Sequence, residues 1–267
     1  MPSKVFKIIA CEIAYREICW IASRTPHVTS LDFLVQGYHD NPELGYLTIQ
    51  DQIDAAEPGR FDAILVGYGL CNHLATGLVA RDAPLVIPRA HDCLTFFFGS
   101  RHQYERYFMS HPGTYYYSSG WLEHDRRNGD FIPHTQRNGL GPKITFEEMV
   151  ERYGEDNAAY LRDFFTVWKD NYGRACLIQL QPTAHLDMRD EVREICRTND
   201  WAFDEVQGDI DLLQRWVDGD WNDDDFLIVP PGYQVVPTYD ERIMDAVPEG
   251  SDESVTSRLT QIRNATP

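Results

Sequence analysis

Three cysteines and a histidine follow apolar runs that have the composition of buried strands. Cys11 ends "KVFKIIAC", Cys71 ends "FDAILVGYGLC", and His91 and Cys93 end "PLVIPRAHDC". Three thiols and an imidazole are a good inner ligand set for zinc and an acceptable one for iron. A bound cation would keep the thiols ionised at neutral pH, because it stabilises the thiolate. The sequence therefore predicts a metal or reactive-thiol site made by Cys11, Cys71, His91 and Cys93.

Further side chains near these runs are candidates for catalysis and substrate binding. Glu12 and Asp92 adjoin the predicted ligands, where either could orient the imidazole or transfer a proton. Arg89 could serve both roles by clamping a carboxylate or phosphate of the substrate. His39 and Trp121 also follow predicted strands, and with Arg89 they form the predicted substrate-binding set. Alternatively, His39 could cap a turn and have no role in substrate binding.

The competing interpretation is that the cysteines are simply packed. A free cysteine often behaves as a small buried hydrophobic residue. For Cys19 and Cys196 in helical patterns, and Cys176 inside a strand, this interpretation is preferred. The joint position of Cys11, Cys71 and Cys93 at the ends of strands favours a site for these three.

Strands and helices alternate along the chain, and the strands are apolar runs. Such runs indicate a mostly parallel sheet that is covered on both faces. We therefore predict an α/β fold with a doubly wound, Rossmann-like sheet. Ligands of these sheets bind beyond the carboxyl ends of the strands, where the strand order reverses. The predicted cysteine site lies at that edge.

A chain of 267 residues suits one large domain or two small lobes. We predict a single α/β domain over residues 1–240, with lobes 1–120 and 145–240 as the alternative. Residues 121–143 are polar and rich in Gly, Asn and Arg, which is typical of a long, lid-like loop. Residues 241–267 are charged and weakly apolar, and we expect a peripheral tail.

The chain is acidic, with 24 Lys and Arg against 42 Asp and Glu and a formal charge of -18. This balance argues against nucleic acid or an anionic membrane as a partner. No apolar stretch approaches the roughly 20 residues that a membrane span needs. Glu12, Arg16 and Glu17 interrupt the N-terminal apolar run, so we expect no signal peptide and a cytoplasmic location. In a reducing compartment the six cysteines are thiols, metal ligands or core residues.

Several motifs together resemble one family. They are "GYGLCN", "PRAHDC" with "FFGS" after it, and "GTYYYSSGW", and "IACEI" and the histidine before "NPEL" fit as well. Over roughly residues 4–210 the chain resembles a family of prokaryotic domains of unknown function catalogued under the number 1638. The resemblance implies no settled activity. It implies an association with corrinoid-dependent methyl-transfer systems, and hence a corrinoid protein or a methyltransferase as a partner.

His91, Asp92 and Cys93 have the form His-x-Cys, which is similar to the motif of zinc methyltransferases that activate thiols. Those enzymes add a distant cysteine after the motif, whereas Cys11 and Cys71 precede it here, so the similarity is one of site chemistry. The first hypothesis is a zinc- or iron-dependent enzyme for methyl or thiol transfer on a small molecule. The second is a non-catalytic metallo-cofactor carrier or corrinoid-system accessory protein. The third is metal-free thiol chemistry, which requires a cysteine with a depressed pKa. A homo-oligomer is compatible with each of these.

Overall fold

The structure is a computed structural model that describes residues 2–38, 41–127, 147, 150–151, 154–155 and 171–265. The chain divides into two compact units. The first unit comprises Met1–Arg106, Leu180–Thr183 and Gly208–Pro267, and the second comprises Tyr107–Gln179 and Ala184–Gln207. The units are therefore interleaved along the chain, whereas the lobes considered from the sequence are contiguous.

The helices and strands follow one another in the alternation that the apolar runs predict. The strands are β1 Val5–Cys11, β2 Val28–Leu34, β3 Ala63–Gly67, β4 Leu85–Pro88, β5 Thr114–Tyr117, β6 Arg174–Gln179, β7 Ala202–Gln207, β8 Phe226–Val229, β9 Tyr233–Pro237 and β10 Met244–Pro248. The α-helices are α1 Tyr15–Ala22, α2 Pro42–Asp54, α3 Leu94–Phe98, α4 Arg101–Ser110, α5 Ser119–Arg127, α6 Arg189–Asn199, α7 Asp211–Asp218 and α8 Glu253–Ala265.

The first unit is built on a five-stranded sheet with the strand order β2-β1-β3-β4-β8. β1 to β4 run parallel, and β8 is antiparallel to β4. The fold is thus mixed α/β with a mostly parallel central sheet, as predicted. The sequence "GTYYYSS" predicts a fifth strand of this sheet, but β5 pairs with β6 in another sheet and the edge position belongs to β8.

The residues of β3 and β4 are buried throughout, which accounts for their continuous apolar runs. Ile64 and Val66 join a core cluster with residues of α2, such as Ile49 and Ile53. Gly67 lies on the opposite face of the sheet from Val66, because successive residues of a strand face alternate sides of the sheet. A Cβ at Gly67 would lie 2.9 Å from Trp216 of α7, so the glycine lets that indole pack closely against the strand.

The second unit contains a parallel sheet with the order β5-β6-β7. Its core cluster includes Tyr117, Leu122, Leu177 and Val192. Cys176 and Cys196 are buried in this unit, which agrees with the packing role predicted for them.

Several segments differ from the sequence-based expectations. The sequence of residues 93–111 predicts one helix, but Gly99 has a φ of 75° and separates α3 from α4. The first part of the predicted lid-like loop is helical in α5, while residues 128–143 lie outside the described residues. The expected peripheral tail instead contributes β10 and α8, and Met244 and Ile262 are buried in the core cluster.

None of the helices in the described part of the chain combines the length and apolar character that a membrane crossing requires.

Candidate functional site

Three of the four predicted metal ligands meet at one edge of the central sheet. Cys11 is the last residue of β1, and Cys71 and Cys93 follow the ends of the adjacent strands β3 and β4. The thiols are close enough to act on one another electrostatically, since Cys71 and Cys11 raise the pKa of Cys93 and Cys11 raises that of Cys71. The parallel strands thus bring together residues that are far apart in the sequence.

Cys71 is fixed beside the Cys93 segment by backbone hydrogen bonds. The Leu70 N–H donates to Ala90 O at 2.7 Å, and the Cys71 N–H donates to His91 O at 2.8 Å. The two segments approach so closely because Gly69 has no Cβ, which would lie 2.7 Å from Ala90 O. A glycine at this position of "GYGLCN" predicts a tight turn or the close approach of a ligand, whereas in the structure it allows the close approach of backbone.

We expect Gly69→Ala to separate these two segments. The added Cβ would also lie 3.1 Å from the Asp92 nitrogen, and backbone atoms cannot rotate away as a side chain would. The free energy of unfolding, measured in urea, should fall by about 1–3 kcal/mol. Gly173→Ala is the matched control, because a Cβ there meets nothing within 4 Å, and its effect should stay within about 0.5 kcal/mol. Equal stability of the two variants would contradict the prediction.

Cys71 begins a strained turn. Cys71, Asn72 and His73 have φ values of 43°, 56° and 66°, a left-handed conformation that non-glycine residues rarely adopt. Each such residue costs on the order of 1–3 kcal/mol and persists only where its surroundings impose it. Here α8 supplies the restraint, because Arg258 Nη1 donates to His73 O at 2.8 Å. Leu259 of the same helix packs against Gly77.

Burial governs the ionisation of the thiols. It raises the pKa of Cys11 and of Cys71 to about 12, and it raises the pKa of Cys93 well above its ordinary value. The Ile13 N–H and the Tyr68 hydroxyl partly offset this effect at Cys11, and the Gly69 and Cys93 N–H groups do so at Cys71. As whole residues the three cysteines are of intermediate exposure, although burial dominates the pKa of their thiols. The thiols are therefore protonated at neutral pH.

The raised pKa values predict a loss of stability in alkali. A thiol with an ordinary pKa of 9.0 ionises in the unfolded chain, while Cys11 and Cys71 stay protonated in the fold until pH approaches 12. Their contribution to stability is complete below pH 9 and disappears as the pH rises towards 12. The free energy of unfolding of the metal-free protein should therefore fall over this range. The free energy of unfolding of Cys11→Ser should fall less steeply with pH than that of the wild type. Equal slopes would refute the raised pKa of Cys11.

His91 and Asp92 make contacts that do not involve the thiols. The His91 side chain is exposed, and its carbonyl accepts the Cys71 N–H. Asp92 Oδ1 accepts the Leu94 N–H at 3.0 Å at the start of α3, and Oδ2 accepts the Tyr104 hydroxyl at 3.2 Å. Burial raises the pKa of Asp92. These contacts favour a structural role for Asp92 over the predicted catalytic one.

Arg89, predicted to bind a substrate anion, is bonded within the fold. Its side chain is buried, and Nε donates to Asp223 O at 2.8 Å. Nη1 donates to Arg242 O at 3.0 Å and to Met244 O, while Nη2 pairs with the Asp223 carboxylate at 3.3 Å. The guanidinium thus joins the end of β4 to the segment before β8 and to the start of β10. A buried guanidinium with these bonds favours a structural role over substrate binding.

The remaining predicted site residues are Glu12, His39 and Trp121, and among them the structure places only Glu12 beside the thiols. Glu12 lies beside the thiols, raises the pKa of Cys11, and its Oε1 accepts the Gln36 N–H at 2.9 Å. His39 lies outside the described residues. Trp121 lies in α5 and packs against the core cluster of the second unit, and its backbone N–H donates to Ser118 Oγ at 3.4 Å.

Tyr68 is the site residue to which the sequence assigned no role. It follows β3 directly and is only 4% exposed. Cys11, Cys71, Tyr38 and Glu12 all act on its hydroxyl, and burial raises its pKa well above the ordinary value. Its position after a buried strand, three residues before a cysteine-containing turn, was the available signal.

Comparisons with known proteins place the chain in a family. Residues 33–217 match the family described as "Protein of unknown function (DUF1638)", a span that includes Tyr68, Cys71, His91 and Cys93 but not Cys11. No curated protein and no solved structure matches the chain. Because the matched span covers more than half of the sequence, the chain belongs to this family of proteins of unknown function (DUF1638).

Proposed function

We propose that the protein is a metal-dependent enzyme that acts on a small molecule. In this proposal Cys11, Cys71 and Cys93 hold a zinc or iron ion at the carboxyl ends of β1, β3 and β4. The observation that carries the proposal is the meeting of three buried thiols from three separate strand ends. The chemistry is methyl or thiol transfer, for which the metal supplies an ionised sulfur at neutral pH.

The charges around the thiols support a requirement for an added cation. The charged side chains that act most strongly on them are acidic, namely Glu12 on Cys11 and Asp92 on Cys71 and Cys93. These carboxylates and burial raise the pKa of the thiols, so the three sulfurs do not ionise together at neutral pH without a positive charge. Metal-free thiol chemistry is disfavoured for the same reason, because it needs a cysteine with a lowered pKa.

The number of ligands suits a reactive metal rather than a structural one. Structural zinc sites have four protein ligands, whereas catalytic sites have three and keep one position open. The exposed side chain of His91 leaves three thiols as the inner set, and the fourth position is free for a substrate. Within the described ranges, no group of three or more His, Cys, Asp and Glu side chains is already arranged to hold a metal. The proposal therefore includes a change of χ1 rotamer that turns the thiols towards one point.

The strand order supports a small-molecule site at this edge. From β1 the chain goes first to β2 on one side and then to β3 on the other. In doubly wound sheets this reversal marks the ligand crevice. We extend the proposal to a Rossmann-like doubly wound arrangement, which the packing of α2 and α7 on opposite faces supports. Glu12 is the candidate for proton transfer, because its carboxylate lies beside Cys11 and Tyr68.

The non-catalytic alternative uses the same thiols. A metallo-cofactor carrier, or an accessory protein of a corrinoid system, would bind its ligand tightly without turnover. The corrinoid or methyltransferase partner, a homo-oligomeric state and the cytoplasmic location remain predictions from the sequence. Turnover of a small-molecule substrate by the metal-loaded protein would distinguish the enzyme from the carrier.

Cobalt provides the first test of the site. Anaerobically purified wild-type protein, freed of metal, is titrated with Co²⁺ and followed by absorption, while metal analysis of the untreated protein identifies the natural ion. We expect one equivalent of zinc or iron, and a thiolate-to-cobalt charge-transfer band that saturates at one equivalent of Co²⁺. The affinity of the protein for Co²⁺ should rise with pH, because the protonated thiols must lose their protons to bind the ion. A protein without metal and without this band would overturn the proposal.

A further inference from the structure

Strand β2 leaves one side of the central sheet open. It stands first in the order β2-β1-β3-β4-β8, and among the described strands it pairs only with β1. The Val28 N–H donates to Lys4 O at 2.8 Å, so the even-numbered residues of β2 direct their N–H and C=O groups towards β1. The odd-numbered residues direct theirs away from the sheet, because the backbone groups of a strand alternate in direction. They are Thr29, Leu31 and Phe33.

This edge lacks the features that usually prevent an edge strand from pairing. Natural edge strands are very short, carry charged side chains, or contain a proline or a bulge. β2 has seven residues, contains no proline, and has Asp32 as its one charged residue. That carboxylate already pairs with Lys7 Nζ at 2.8 Å. Val28 at the start of the strand and Val35 after its end are each 58% exposed, so apolar surface accompanies the open backbone.

The outward-facing residues of β2 are complementary to themselves when two copies run antiparallel about Leu31. In that register Leu31 lies opposite the partner's Leu31, and Thr29 lies opposite the partner's Phe33. Residues that pair in this manner exchange both of their N–H and C=O hydrogen bonds. The Phe33 ring is held by Tyr15 of α1, with the ring centroids 5.1 Å apart, so this side chain is already positioned on the edge.

The residues on the other face are complementary in polarity and charge. In the same register Val28 lies opposite the partner's Leu34, and Ser30 lies opposite the partner's Asp32. A serine hydroxyl donates and a carboxylate accepts, so this pair is favourable. Ser30 is the register neighbour of Lys7 on β1, and the partner's Asp32 therefore joins a row that begins with a lysine. Neither carboxylate lies directly opposite a like charge.

We propose that β2 is a dimerisation surface, on which a second copy of this chain adds its own β2 antiparallel. The two-fold pairing joins two five-stranded sheets into one continuous sheet and satisfies the open backbone groups of both strands. It also covers the exposed Val28 side chain with the partner's Leu34. The surface does not depend on the strand-end thiols, so the dimer forms with or without a metal ion.

The charge of the chain adds a prediction about salt. The formal charge of -18 makes two copies repel one another at long range, while β2 itself contributes one paired carboxylate. Salt screens the long-range repulsion and leaves the backbone hydrogen bonds intact. Sedimentation equilibrium of the full chain should therefore show a dimer whose dissociation constant falls as sodium chloride rises from about 0.05 M to about 0.5 M.

Two substitutions of the exposed Ser30 provide a matched test of the register. In Ser30→Asp the new carboxylate lies opposite the partner's Asp32, and symmetry repeats this contact. We expect the dimer dissociation constant to rise about tenfold. In Ser30→Lys the new ammonium group lies opposite the same carboxylate, so the dissociation constant should stay equal or fall. Circular dichroism and thermal unfolding establish that each variant is folded.

Thr29→Pro tests the backbone pairing independently of charge. A proline removes the outward N–H and fills the space beside it, whereas the bonds from β2 to β1 come from the even-numbered residues. The variant should fold and sediment as one chain. Residue-resolved hydrogen exchange of the wild type gives a second measurement. Raising the protein concentration should slow exchange of the Thr29, Leu31 and Phe33 amides and leave that of Asp32 unchanged.

The outcomes decide the proposal in either direction. A wild type that sediments as one chain at both salt concentrations would overturn it and leave the edge to a strand of another protein. A dimer that Thr29→Pro and both Ser30 variants leave intact would place the contact on another surface and would also overturn it. Exchange of the outward amides that does not depend on protein concentration would do the same, even where a variant fails to fold.

Discussion

Replacing Cys93 with serine is expected to remove the bound metal from a protein that remains folded. The hydroxyl of serine is not ionised at neutral pH and cannot replace a thiolate as a ligand of a soft or borderline metal. Loss of a hydrogen-bond partner of a ligand typically costs roughly 10–100-fold in metal affinity, and loss of the ligand itself should cost more. Metal analysis and Co²⁺ titration of the anaerobically purified variant measure the effect. The cobalt–thiolate band should disappear, because the variant no longer holds the ion.

The matched control is Cys196→Ser in the second unit. Cys196 is buried in the core, where its Sγ contacts Ala202 O at 3.7 Å, and we assign it no role in the site. This variant should lose some stability and keep its full complement of metal. Equal metal content in wild type and Cys93→Ser would remove Cys93 from the ligand set. Equal loss in both variants would attribute the metal to something other than the strand-end thiols.

Replacing Arg89 with alanine is expected to cause the largest loss of stability. The buried guanidinium donates to three backbone carbonyls, those of Asp223, Arg242 and Met244. Its removal leaves these acceptors unsatisfied and opens a cavity, so we expect the free energy of unfolding to fall by about 3–5 kcal/mol. Urea unfolding gives the magnitude. Metal binding should persist in the fraction that remains folded, because Arg89 is not a ligand.

Arg81→Ala is the control for the loss of an arginine. Arg81 pairs with Asp54 and Glu249 at the surface, where ion pairs contribute little, so the cost should stay within about 1 kcal/mol. Arg89→Lys should recover only part of the stability, since an ammonium group cannot reproduce the planar fork of donors. A stable Arg89→Ala protein that binds substrate anions weakly would restore the substrate-binding role that the sequence suggested.

The sequence predicted the parts of the site that depend on short-range patterns. Buried runs such as "AILVG" identified β3 and β4, and the parallel direction of these strands implied that Cys11, Cys71 and Cys93 share one edge of the sheet. Periodicity also placed Cys176 and Cys196 in packed elements. These predictions succeed because a strand that is buried on both faces has an apolar residue at nearly every position.

The features that the sequence did not predict depend on long-range pairing. Nothing in "FLIV" indicates that β8 lies antiparallel beside β4, because a buried run is equally compatible with either direction. Arg89 resembled a ligand-binding group, since its acceptors lie more than 130 residues away in the chain. The left-handed turn at Cys71 was also missed, because Cys, Asn and His carry no strong preference for three consecutive residues of this kind.

The restraint of that turn by Arg258 has a consequence for biosynthesis. During translation the ribosome makes Cys11, Cys71 and Cys93 long before it makes α8. The second unit is encoded between Cys93 and α8 and is made in the interval. At about 5–20 residues per second, this delay is on the order of ten seconds. Throughout that interval the nascent chain lacks the Arg258 side chain that donates to His73 O and restrains the turn. The turn that begins at Cys71 therefore gains its restraint only after the last helix has been made and has docked.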